Sequence, residues 1–100
     1  MRRAASGPPQ YLFRLFVAAE THNSAQAMGN LAAFCRERLP GNHRIDVVDV
    51  FREPRRALEA GIFMTPALVR MAPAPEVRVI GTLGNLAMLM HVLGSDQQAA

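Results

Sequence analysis

Two β-prone apolar runs on either side of one helical stripe constrain this chain more than anything else in it. Tyr11-Leu12-Phe13-Arg14-Leu15-Phe16-Val17-Ala18 is apolar on both faces apart from Arg14, the pattern of a central strand covered on both sides. Ile45-Asp46-Val47-Val48-Asp49-Val50 reads as a second strand. Between them, Asn23 can cap a helix and Gln26, three residues on, can return the bond. Met28, Leu31, Ala32, Cys35 and Leu39 then keep to one helical face, with Arg36, Glu37 and Arg38 largely off it, and Pro40-Gly41 stops the helix. Strand, helix, strand at this spacing is a βαβ unit, which crosses over right-handedly and pairs its strands in parallel.

The second half reads as shorter pieces. Pro54 suits the first turn of a short helix and Gly61 its C-terminal cap. Ala67 to Met71 and Val77 to Ile80 are apolar runs joined by Ala72-Pro73-Ala74-Pro75, an antiparallel hairpin with Glu76 and Arg78 on the outer, wetter strand. Gly81 breaks the pattern, and a last helix spans about Gly84 to Leu93. The order βαβ, short α, ββα is that of a thioredoxin-like α/β domain over residues 11–94, with tails at 1–10 and 95–100. Thr65-Pro66 precedes the third strand, where such domains place a cis-proline; a trans proline that simply starts a strand is the alternative.

The residues argue against several function classes. All 11 basic residues are arginine, and Arg2 and Arg3 in the tail account for most of the +3 charge. The high isoelectric point therefore reflects arginine's inability to deprotonate and does not point to nucleic acid. Thiol–disulfide exchange needs a thiolate at the N-terminus of the first helix, where the dipole lowers the thiol pKa. That loop, Ala19-Glu20-Thr21-His22-Asn23-Ser24, has no cysteine, and the single Cys35 falls on the apolar face as a buried structural residue. His22, His43 and His91 are too scattered for a metal site, and no phosphate loop or nucleophile–base spacing appears. Neither a secretory leader nor a membrane span is visible, so a cytoplasmic, non-enzymatic protein without cofactor is expected.

The last helix is unusual. Leu86, Leu89, Met90 and Leu93 form a core stripe, yet Ala87, Met88 and Val92 occupy the remaining sides. A helix apolar all round asks for burial on all sides, which a domain of this size does not supply. Contact with another subunit, an alternative packing of the segment, or a few tolerated exposed apolar residues would each account for it.

Taken in order, the first strand, Asn23-Ser24, Ile45 to Val50, Pro54, Ala60 to Pro66 and Val79 to Asn85 resemble the KaiB family over about residues 11–93. The resemblance implies a thioredoxin-like KaiB domain whose C-terminal half has an alternative ground-state fold, with Pro66, Pro73, Pro75 and Gly81 as structural or switch positions. It implies a homo-oligomer, dimer or tetramer, and binding to a KaiC-like hexameric ATPase. The face expected to carry that contact runs from Arg52 to Arg70 and includes the start of the last helix, with Arg52, Arg55, Arg56, Arg70 and Asn85 as partner-binding residues. The alternative is a thioredoxin-fold adaptor or sensor acting on a signalling histidine kinase. Ala19 to His22, Pro73-Ala74-Pro75, Thr82 and the short tail from Ser95 depart from the family pattern, which marks a divergent, non-cyanobacterial member.

Overall fold

The computed structural model describes residues 9–19 and 21–93; residues 1–8 of the expected 1–10 tail, the expected tail at 95–100, and Gly94 at the domain's end lie outside the described residues. Strand β1 (Tyr11–Val17), helix α1 (His22–Arg38), strand β2 (His43–Asp49), helix α2 (Pro54–Glu59), strands β3 (Ala67–Ala72) and β4 (Val77–Ile80) and helix α3 (Leu86–Leu93) follow in chain order. They build one four-stranded sheet in the order β2-β1-β3-β4. Strands β1 and β2 pair in parallel, as the βαβ reading requires, and β3 runs antiparallel to both β1 and β4. The architecture is thioredoxin-like.

Side-chain alternation along the central strand divides the interior into two cores. Phe13, Leu15 and Val17 face α1 and α3, where they meet Leu31, Phe34, Cys35, Leu68, Leu89 and Leu93. Phe16 faces the other way and packs with Val48, Val69, Ala57 and Ile62 under α2. That second layer is thin, because a helix of six residues covers only part of a sheet face.

Two sequence expectations shift in phase. Helix α1 begins at His22, one residue ahead of the expected Asn23 cap, because the Thr21 side chain accepts from the Ser24 backbone N–H at 3.3 Å. Its buried face comprises Ser24, Ala27, Leu31, Phe34 and Cys35, whereas Met28 and Ala32 are exposed. The cause is Ser24, whose Oγ accepts from the Ala18 N–H at 3.0 Å; a polar residue thus sits on the inner face and rotates the stripe. The α3 stripe is also thinner than expected: Leu89 and Leu93 are buried, Met90 is half-buried and Leu86 is exposed.

Helix α2 ends as Gly61 predicts. With φ +71° at Gly61, its N–H donates to the Leu58 carbonyl at 3.0 Å and that of Ile62 to Ala57 at 2.9 Å. This paired closure satisfies two otherwise orphaned carbonyls and drives Ile62 into the α2 core. The peptide bond preceding Pro66 is cis, as are those preceding Pro73 and Pro75.

Candidate functional site

The register puts Val17, Asp49, Ala67 and Ile80 at one end of the sheet. The loops 50–53, 60–66 and 81–85, with Ala18, Ala19 and Thr21, lie at that end, the end where open α/β sheets carry their recognition loops.

Asp49 organises the loop after β2. Its carboxylate accepts from the N–H of Phe51 at 2.9 Å and reaches that of Ala19 at 3.4 Å, while its carbonyl accepts from Arg52 and Glu53 at 3.0 and 2.9 Å. The turn this fixes leaves Phe51 72% exposed. On the neighbouring loop, anchoring Ile62 on one side and buried Pro66 on the other leaves Phe63 and Met64 outside, 86% and 64% exposed. Leu58 on α2 is exposed as well. Single exposed apolar residues are ordinary, but three large ones on two loops at one end of the sheet, Phe51, Phe63 and Met64, are not. The sequence reading passed over Phe63 and Met64. The available signal was an apolar pair confined between Gly61 and Pro66, too short to enter either neighbouring element.

The five expected partner-binding residues separate into three groups. Arg52 is exposed on the 50–53 loop, with its Nε 4.0 Å from an Asp49 oxygen, and Arg55 is exposed at the start of α2. Asn85 lies on the 81–85 loop and caps α3, its Oδ1 accepting from the Met88 N–H at 3.0 Å. Arg56 instead turns onto the sheet, donating to Asp46 at 2.7 Å and Glu53 at 3.1 Å. Burial opposes the Asp46 charge, but hydrogen bonds from Arg56 and Arg14 outweigh it and hold the carboxyl below its usual value.

Arg70 corrects the expectation most. It is 6% exposed on the inner side of β3 and offers nothing to a partner. Its guanidinium donates to the Leu93 carbonyl at 2.7 Å and the Pro75 carbonyl at 2.9 Å, and so fastens the last turn of α3 to the β3–β4 turn. The reason lies in pleating: within β3, Arg70 falls on the same side as Leu68, the α3 side.

The four residues expected as structural or switch positions also divide. Pro66 and Gly81 meet at the loop end, where the Gly81 N–H donates to the Pro66 carbonyl at 2.9 Å; Pro73 and Pro75 form the opposite turn. Thr82 is tied to α1 by the Asn30 amide at 2.7 Å.

Cys35 is fully buried, and burial pushes its thiol up to about 12. It is therefore expected to resist alkylation in the native protein at pH 8 and to react at the rate of global unfolding; labelling within seconds by a maleimide would overturn this. Among the described residues no cluster of metal-ligating side chains occurs, and no helix is long and apolar enough to cross a membrane.

Comparison with known proteins accords with this geometry. The KaiB domain family model matches residues 14–95. The chain is 33% identical over 85 residues to the circadian clock protein KaiB3 of Synechocystis sp., covering 85% of this chain and 81% of that protein. Among solved structures, chloroplastic thioredoxin z superposes with a TM-score of 0.73 at 20% identity, over 95% of this chain and 85% of that one. The N-terminal domain of Synechococcus elongatus SasA superposes with a TM-score of 0.65 at 20% identity, over 99% and 84%. The structural neighbours establish the thioredoxin-like fold, and the family match together with the KaiB3 relative establishes that this chain belongs to the KaiB family of circadian clock proteins.

Proposed function

We propose that this chain is a non-catalytic regulator that docks onto a KaiC-type hexameric ATPase through the loop end of its sheet. The observation that carries the reading is the exposed group of Phe51, Phe63 and Met64 beside Arg52 and Arg55. Apolar anchors bordered by arginine are the composition of interface centres, where aromatic and arginine residues supply most of the affinity. The same group, left open, favours self-association, so the free chain is read as a homo-oligomer that yields this end to its partner.

Size-exclusion chromatography with light scattering tests both statements, first on the chain alone and then with the ATP-loaded KaiC-type hexamer of the same source. A large complex drawn from a free oligomer supports the reading. Reversing Arg52 and Arg55 to glutamate together is expected to weaken that complex at least tenfold, more so at low salt. A chain that keeps its own size in every nucleotide state removes the ATPase from the proposal and leaves the histidine-kinase adaptor.

A further inference from the structure

Helix α2 covers the sheet face only in part: its end, Glu59 and Ala60, borders a hollow shared with Arg14, Met71, Glu76 and Arg78. Away from the loop end, β1 places Leu12 and Arg14 on that face, and the parallel register sets Arg44 and Asp46 beside them. Met71 of β3 completes a depression of about 410 Å³ whose lining joins Leu12 and Met71 to Arg14, Arg44 and Asp46. Such a volume is that of a small-ligand site, apolar with a few convergent polar groups.

The charges there are unequal. Asp46 accepts from Arg14 Nε at 2.8 Å and from Arg56 at 2.7 Å, so one carboxylate serves two guanidiniums. The bond to Nε steadies Arg14; among the described residues its two terminal nitrogens have no hydrogen-bond partner, and Arg44, exposed on the same groove, has neither ion pair nor hydrogen bond. Two arginines with unused paired donors, set beside Leu12 and Met71, match a carboxylate joined to a flat apolar body. Arg14 is also the single charged residue of an otherwise apolar central strand.

We propose that this groove binds a small amphipathic carboxylate, with Arg14 and Arg44 holding the anion and Leu12 and Met71 carrying the apolar portion. This site lies away from the loop end and does not depend on the partner proposed there. The test is a backbone amide NMR titration of the whole chain with 1-naphthoate, and with 1-naphthalenemethanol as its neutral counterpart. Saturable shifts centred on Leu12, Arg14, Arg44 and Met71 are expected with naphthoate, and Arg44→Ala is expected to weaken them about tenfold. Arg44 is exposed and makes no contact that folding needs, so the variant's spectrum should otherwise be unchanged. Absence of saturable shifts at millimolar naphthoate overturns the proposal. So does equal binding of the neutral alcohol, or shifts confined to Phe63 and Met64. If an acidic peptide saturates the same amides while naphthoate does not, the groove is a protein contact and the small-molecule proposal fails.

Discussion

Replacing Arg70 with alanine is expected to destabilise the protein by about 3 kcal/mol and to release α3 selectively. Helix α3 has eight residues, too short to persist in water without tertiary support. It is held by burial of Leu89 and Leu93 and by the Arg70 guanidinium on the Leu93 and Pro75 carbonyls. Alanine removes both bonds and leaves those carbonyls beside a cavity. The native balance is already narrow, because among the described residues no carboxylate pairs with buried Arg70 and its Nε has no hydrogen-bond partner. Urea unfolding gives the size of the loss, and amide hydrogen exchange gives its location. Exchange should accelerate through Leu89 to Leu93 well beyond the change in β1 and β2. Arg70→Met separates the two contributions, since it keeps much of the apolar stem and has no donor. If methionine restores stability, or if alanine costs less than about 1 kcal/mol with α3 protection intact, the guanidinium is not what fastens the helix.

Arg70 also shows where sequence reading stops. Strand, helix and hairpin order were legible because each depends on local pattern: the doubly apolar β1, the proline and glycine around α2, the proline-rich turn before β4. Gly61 in particular announced its closure of α2. An arginine in a strand, by contrast, reads as an exposed charge until the neighbour on its face is known. Here that neighbour is the end of a helix 22 and 23 residues further on. The ion pair of Arg56 was hidden for a similar reason, its partner Asp46 lying on a different element. The phase of α1 was lost because Ser24 enters the core through a bond to Ala18 that composition does not reveal. The apolar loop pair was visible as letters, but its exposure follows only once Ile62 and Pro66 are seen pinned on either side.

Changing Phe63 to aspartate is expected to leave the fold unaltered and to weaken binding to the ATP-loaded KaiC-type hexamer about a hundredfold, or roughly 2.7 kcal/mol. The two halves of this expectation have one cause. At 86% exposure Phe63 contributes little to the core, so its replacement should change the unfolding free energy by no more than about 0.5 kcal/mol. The same exposure leaves a large, rigid apolar side chain to be desolvated in a complex, and a carboxylate in its place carries a solvation penalty into that interface. Met64→Asp should act in the same direction but less strongly, since methionine loses more rotamer freedom on ordering. Arg36→Gln, in the last turn of α1 at the far end of the domain, lowers the net charge by the same one unit and should bind as the parent does. Equal weakening by Arg36→Gln would mean that net charge governs association. Unchanged affinity for Phe63→Asp in a complex that still forms would move the interface off the loop end, whatever the effect of Arg52 and Arg55.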